Sequence, residues 1–315
     1  MGLYRVAPCL KGRMKDLRSE LAKIINLFSP GEGLHESPLS GTYCIKVSQP
    51  GPRTKRRWGA ALCIIVQGSK EIILGREIYR CDEAHYIATP IDLPVTNRVF
   101  SAMPEKPFLC LKIDFDPLIL SEVAAQLEKG FPKEMENSLP AVFIGKAGDR
   151  MLDAAIRLGK LFRTPEDAPV LGPLVIKEIL YHLLNGADGP AIRQFVRSGS
   201  NMHKIFQAIY SLRSELDDDV DVAALSKAAN MSRSAFFKHF KEATAMSPIQ
   251  YQKRLRLLEA RRLMTDEGET AEGSAFKVGY NSASQFSREY SRMFGNPPLR
   301  DTVKIKKTGH PIHQM

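Results

Sequence analysis

No stretch of eighteen or more apolar residues occurs in this 315-residue chain, and its first fifteen residues hold no continuous apolar core. The first absence excludes a helical membrane span and the second gives no sign of a Sec signal, so no membrane partner and a cytoplasmic location are expected. Cysteine is sparse: Cys9, Cys44, Cys63, Cys81 and Cys110 all lie in the front third, and none forms a C-x-x-C pair. An odd count at wide spacing argues against a disulfide framework or a zinc ribbon and predicts buried free thiols. Modification of Cys63, Cys81 or Cys110 by an oxidant or electrophile is the other reading, and it requires a lowered thiol pKa. Histidine is equally thin there: His35 and His85 stand far apart, with no H-x-H pair. No catalytic residue, metal site or other cofactor is expected, and binding is favoured over turnover.

Positive charge is plentiful and unevenly placed. The net charge is +10, and from Val222 to the end there are 16 Lys and Arg against 8 Asp and Glu, which leaves only +2 for the longer front part. A basic carboxyl-terminal third is the electrostatic footprint of a polyanion partner.

Along the chain, Lys15 to Phe28 carries Leu17, Leu21, Ile24, Ile25 and Phe28 at helical spacing. Short β-rich runs follow at Thr42–Val47, Ala61–Gln67, Glu71–Leu74, Tyr86–Ala88, Val95–Phe100 and Phe108–Phe115, with turn residues between them. Strands this short and close predict a small sandwich or barrel. Residues 131–144 read as a connection. Helical spacing resumes at Asp149, Thr164-Pro165-Glu166-Asp167 reads as a cap, and an apolar helix is expected from about Pro173 to Leu184. Gly186 to Pro190 reads as a break, and Asn201–Leu216 as another helix. The acidic run from Leu216 to Asp221 suits the amino end of a helix over Val222–Ala229. Ser247-Pro248 opens a rod of about 27 Å that ends near Met264. One side carries Tyr251, Leu255 and Leu258, the other Leu257, Ala260 and Met264.

The most informative feature is a pattern that occurs twice. Ser232-Arg233-Ser234-Ala235-Phe236 recurs as Ser282-Ala283-Ser284-Gln285-Phe286, and the same offset pairs Lys238 with Arg288, Phe240 with Tyr290 and Pro248 with Pro298. Each copy follows a short helical run and a residue that tolerates positive φ, Asn230 in the first and Gly279 in the second. This is the pattern of a helix-turn-helix, whose second helix enters the DNA major groove. Phe236 and Phe240 then face the core. Ser232, Arg233, Ser234, Phe237, Lys238 and Lys241 face out, as do Ser282, Ala283, Ser284, Gln285, Arg288 and Arg292 in the second copy. Gln285 can bond adenine bidentately and Arg288 guanine, each worth about 1–3 kcal/mol of discrimination, while Phe237 suits a thymine methyl. The second copy is therefore expected to read more of the sequence.

Residues 203–300 resemble the DNA-binding domain of the AraC/XylS family of transcriptional regulators. The resemblance rests on the repeat, on Tyr251, Arg256 and Ala260, and on Ala275, Val278-Gly279-Tyr280, Phe286, Phe294-Gly295 and Pro297-Pro298. It implies seven helices, two recognition helices in successive major grooves about 34 Å apart, and a DNA-binding role for Arg256. Ser226, Asn230 and Gly273 depart from the family pattern, and Gly273, placed inside a short helix, implies a looser second unit.

The front part, from Leu62–Lys70 through Leu74-Gly75, Tyr79, Asp92-Leu93-Pro94 and Pro107-Phe108-Leu109, resembles the cupin-like amino-terminal domain of one AraC subgroup. The expected fold is α+β and multidomain: a cupin-like jelly roll with flanking helices, then an all-α domain with two helix-turn-helix units. The resulting division is a sensor at 15–130, a helical linker and dimerisation region at 131–200, a DNA-binding domain at 201–303 and a basic tail at 304–315. Expected partners are double-stranded promoter DNA, a small-molecule effector held among strands such as Ala61–Gln67 and Phe108–Ile113, a second copy of the chain, and RNA polymerase. A cupin metalloenzyme with a DNA-binding tail and a ligand-independent DNA binder are the competing readings.

Overall fold

The computed structural model describes residues 8–127 and 141–308. Helix α1 (Pro8–Leu27) precedes nine strands: β1 (Gly33–Glu36), β2 (Thr42–Val47), β3 (Thr54–Trp58), β4 (Ala61–Gln67), β5 (Ser69–Leu74), β6 (Glu77–Asp82), β7 (His85–Thr89), β8 (Leu93–Ser101) and β9 (Phe108–Asp114). They form two antiparallel sheets with β10 (Phe143–Lys146), ordered β1-β2-β9-β4-β7-β10 and β3-β8-β5-β6. β4 is buried from Ala61 to Val66 because both faces of its sheet are covered, which explains its unbroken apolar run. One face meets the other sheet. The opposite face meets α1, whose Leu21 and Ile25 are fully buried.

Four strands had escaped the sequence pattern. In β3 only Arg56 and Trp58 are buried, so Thr54-Lys55-Arg56-Arg57-Trp58 reads as a charge run. β6 leaves residues of both faces partly exposed, β1 is only four residues long, and β10 lies in the stretch expected to be a connection. Of that expected connection, residues 131–140 lie outside the described residues.

Helices α2 (Pro117–Leu127), α3 (Asp149–Leu161), α4 (Ala168–Leu184) and α5 (Gly189–Val196) pack on one another, α3 also packs on α1, and α5 meets β10 through the Phe143–Phe195 ring pair. α5 begins at Gly189-Pro190, the residues that suggested a break, because proline fits the first turn of a helix. Similarly, α4 starts before Pro173 and contains it. Pro173 forfeits only the bond to the Pro169 carbonyl near the helix start, so the helix continues.

The carboxyl-terminal domain is all helical: α6 (Asn201–Ser214), α7 (Val222–Ala228), α8 (Arg233–Thr244), α9 (Pro248–Asp266), α10 (Ala271–Lys277), α11 (Ala283–Phe294) and α12 (Pro298–Thr308). The whole chain is thus an α+β protein with a β-rich front domain, flanking helices and a helical carboxyl-terminal domain. The basic tail expected from Lys304 is helical to Thr308, and its remainder, 309–315, lies outside the described residues. Pro298, Asp301, Thr302 and Ile305 are buried on one face of α12, and the Asp301 carboxylate accepts from Arg261 Nε at 2.8 Å and Tyr290 Oη at 2.9 Å. That docking holds the helix down.

Candidate DNA interface

Hydrogen-bonding caps fix the ends of these short helices. Asp221 accepts from the N–H groups of Ala223 (2.8 Å) and Ala224 (3.0 Å) to start α7, and Ser232 accepts from Ala235 at 3.2 Å to start α8. Thr270 and Ser282 do the same for α10 and α11, at 2.9 Å to Gly273 and 3.3 Å to Gln285. Ser247 and Gln250 form a reciprocal capping box at the head of α9. The turns between α7 and α8 and between α10 and α11 pass through Asn230 (φ 49°) and Gly279 (φ 83°). At Gly279 a Cβ would lie 2.1 Å from the Asp217 carbonyl oxygen, so that turn requires glycine on steric as well as conformational grounds.

Each unit has its own aromatic core. Phe236, Phe240 and Tyr251 pack in sequence with ring centroids 5.7 and 5.5 Å apart. Tyr280, Phe286, Tyr290 and Phe294 form the second series. α9 reaches both, with Tyr251 and Leu255 in the first core and Leu257, Ala260 and Met264 in the second. Its 19 residues make a rod of about 28 Å.

With the cores facing inward, Ser232, Arg233, Ser234, Lys238 and Lys241 are exposed on α8 and its cap, and Ser284, Gln285, Arg288 and Arg292 on α11. Among the described residues, Arg233, Lys238, Lys241, Arg288 and Arg292 form no ion pair within the chain. Ser282 and Ala283 are half-buried at the start of α11. Phe237 is half-buried against the first core, with the Arg233 guanidinium 5.9 Å from its ring centre, so it has less free surface than its outward position suggested. Gln285 has a weak contact to Glu289 at 3.4 Å and is otherwise available. Burial disfavours a charged Glu289, but hydrogen bonds from Lys253 (2.9 Å), Tyr280 (2.8 Å) and Gln285 outweigh it and hold the carboxyl below its ordinary pKa.

Arg256 is placed elsewhere. Its side chain is 10% exposed and donates to the carbonyl oxygens of Leu216 (2.7 Å), Asp218 (2.8 Å), Asp217 (2.9 Å) and Gly279 (3.1 Å), and to Asp219 at 3.3 Å. The acidic segment after α6 is thereby tied to the turn of the second unit. The guanidinium expected to contact DNA is thus engaged within the scaffold. Gly273 is also explained, since a Cβ there would lie 2.9 Å from the Thr270 hydroxyl that caps α10.

Sequence reasoning missed the cleft where the two domains meet, a cavity of about 580 Å³ lined by Arg57, Trp58, Lys112, Phe206, Tyr210 and Arg213 among others. Asp92 organises its rim: its carboxylate accepts from Ala60 N–H at 3.1 Å and pairs with Arg213 at 3.1 Å, and its carbonyl accepts from the buried Tyr251 hydroxyl at 2.7 Å. A second tie joins the Lys55 ammonium to the Met293 carbonyl at the end of α11. The one tryptophan beside Lys55-Arg56-Arg57 was the available signal. It was obscured because β3 was not recognised as a strand.

Residues 38–191 match the family model described as the AraC-type transcriptional regulator N-terminus, and residues 225–301 match a helix-turn-helix domain model. Among curated relatives, the HTH-type transcriptional regulator GbdR of Pseudomonas aeruginosa is 24% identical over 203 residues, covering 63% of this chain and 54% of that protein. The probable transcriptional regulator LumQ of Photobacterium leiognathi is 32% identical over 89 residues, covering 28% of this chain and 36% of LumQ. The chain spans about half the length of the GbdR relative it matches. In fold it is similar to apo ToxT from Vibrio cholerae strain SCE256, with TM-score 0.55 and 12% identity over 85% of this chain and 99% of that one. Wild-type ToxT bound to an unsaturated fatty acid matches with TM-score 0.53 and 13% identity over 84% of this chain and 94% of that one.

Proposed function

This chain belongs to the AraC family of transcriptional regulators, and from that premise we propose that α8 and α11 read double-stranded promoter DNA in successive major grooves. The observation that carries the reading is the pair of serine-capped helices, each presenting serine at its amino end and, along its outer face, cations that form no ion pair among the described residues. Phosphates would occupy the amino ends and the lysines, and base edges would meet Gln285 and Arg288. Footprinting on the chain's own upstream region tests it: two protected patches one helical turn apart are expected, and uniform protection would refute it.

We place a small-molecule effector in the cleft between the domains. Arg213 and Lys112 there are paired with Asp92 and Asp114, which leaves the Arg57 guanidinium and the aromatic walls to suit a compact amphipathic anion, and the fatty acid bound by ToxT is one ligand of that chemistry. Because Asp92 touches α6 through Arg213 and α9 through Tyr251, an occupant there would bias how the two recognition helices are presented. A thermal shift with medium-chain carboxylates tests this, and its absence across such a panel would refute it. Val170, Leu174 and Tyr181, exposed on α4, support self-association through the helical spacer. The front domain is read as binding rather than turning over its ligand, the protein as acting in the cytoplasm, and RNA polymerase as the partner of an activating form.

A further inference from the structure

The carboxyl ends of both recognition helices rest on the four-stranded sheet of the front domain. At the end of α8, Ala245 closes the helix in the left-handed conformation (φ 57°), and the turn between β5 and β6 comes so near that a Cβ on Gly75 would lie 2.7 Å from the Ala245 Cβ. At the end of α11, the Lys55 ammonium of β3 donates to the Met293 carbonyl. A carbonyl in the last turn has no partner within its own helix, and the helix dipole favours a cation there. β3 is one edge of the sheet and β6 the other. Two to three inter-strand steps of about 4.8 Å separate the two seats, so about 10–14 Å of hydrogen-bonded sheet holds them apart.

The two units differ in how they are held. The first shares one continuous apolar core with the front domain, through Phe236, Phe240, Met246 and Leu255, and Tyr251 is fastened to the Asp92 carbonyl at 2.7 Å. The second has a core of its own. Between the units, beside Lys55, lies an open space of about 360 Å³ lined by Met246, Gln250, Leu257, Glu289 and Met293, where a packed seam would otherwise join them. The position of α11 therefore depends on contacts at its two ends. Arg256 holds the Gly279 turn that leads into the helix, and Lys55 holds its last turn. The Lys253–Glu289 pair joins α11 to α9 in between, but the lysine is 48% exposed and water screens it. The 12 residues of α11 span about 18 Å. With the head pinned at Gly279, the contact at the tail decides where the helix points.

We infer that Lys55, although it belongs to the front domain, is a positioning residue for DNA reading: by fixing the tail of α11 it sets the spacing between the two sequence blocks that the chain accepts. No carboxylate pairs with Lys55 among the described residues. Burial, and then the charges of Arg254 and Arg261, lower its pKa, so the carbonyl end of α11 is the group beside it that favours the ammonium form. One base pair inserted between the blocks moves the second block by about 3.4 Å and turns it by about 34°. A helix held at both ends cannot follow that displacement. A helix held at its head alone can swing toward it.

The inference rests on the reading that α8 and α11 occupy successive grooves, and its test separates the two. Affinities of the full-length parent and of Lys55→Met are measured on duplexes bearing the two-block sequence that the parent selects from a random library, at native spacing and with one base pair inserted between the blocks. The parent should lose about thirtyfold on the insertion, as two bidentate base contacts at the low end of their range are forfeited. Lys55→Met should lose only about threefold. A substitution that merely weakened the fold would lower affinity for both duplexes alike and leave their ratio at the parent's value, so the ratio reports positioning. An insertion penalty in Lys55→Met equal to the parent's overturns the inference alone. A parent that binds the inserted duplex as tightly as the native one overturns the two-groove reading and the inference with it. Should Lys55→Met not fold, Lys55→Gln, also neutral and of similar length, is measured in its place and judged by the same ratio.

Discussion

Replacing Arg256 by methionine separates a scaffold role from a DNA contact. The variant keeps most of the aliphatic length and removes a guanidinium that holds four backbone carbonyls, from Leu216, Asp217, Asp218 and Gly279, at 2.7 to 3.1 Å. The Asp219 contact adds little, because that carboxylate is 89% exposed. Each charge-assisted bond contributes about 1.5–3 kcal/mol net, but the bonds share one donor group and the acidic segment can rehydrate. A loss of about 3 kcal/mol is therefore expected, at the low end for breaking a buried charged network. The loss should be local to the seam between α6 and the second unit. Hydrogen exchange checks it: amides of α10 and of the turn at Gly279 should open about a hundredfold faster, at 1.4 kcal/mol per decade. The salt dependence of DNA binding by the folded variant should keep its slope. Unchanged exchange together with a slope reduced by about 0.9, the signature of one lost phosphate contact, would refute the assignment.

Other expectations follow from the same geometry. Tyr251→Phe leaves the Asp92 carbonyl without its 2.7 Å donor and should cost about 1–3 kcal/mol, read as a lower melting temperature of the full chain. Gly279→Ala should prevent native packing of the second unit, whereas Asn230→Gly should change stability by only a few tenths of a kcal/mol, since glycine adopts the same left-handed turn; urea denaturation distinguishes the two. Glu289 has a carboxyl pKa lowered in the folded state, so its stabilisation is complete above the ordinary value near about 4.3 and declines as pH falls through the folded value. The difference in melting temperature between the parent and Glu289→Gln should accordingly shrink below about pH 4.

The helix-turn-helix units were legible because their signals are local. Serine caps, a residue tolerant of positive φ and aromatic residues four apart each act within one or two turns of chain, and the duplication displayed all of them twice. The front domain was less legible because its pattern is set by what covers each face. β4 and β9, covered on both faces, stood out as apolar runs. β3 and β6, which expose charged residues beside buried Arg56, Trp58 and Cys81, did not. Proline misled in both directions: Pro190 opens α5, and Pro173 lies within α4. Arg256 marks a further limit, since a basic residue on a helix between two DNA-reading units can equally be an internal clamp, and only the positions of Leu216–Asp218 and Gly279 decide. At the cleft, Asp92, just before β8, meets α6 and α9, each more than a hundred residues further along the chain, and no local pattern announces it.

The central claim is that α8 and α11 read sequence in two successive grooves. Its most direct test is selection of bound sequences from a random duplex library by the parent chain and by Gln285→Ala, Arg288→Ala and Lys238→Ala/Lys241→Ala variants. The parent should select two conserved blocks about 10–10.5 bp apart. The α11 variants should relax preference within one block only, and the double-lysine variant should weaken every sequence and flatten the salt slope. Selection of no preferred sequence by the parent, or unchanged preference and affinity in all the variants, would contradict the account.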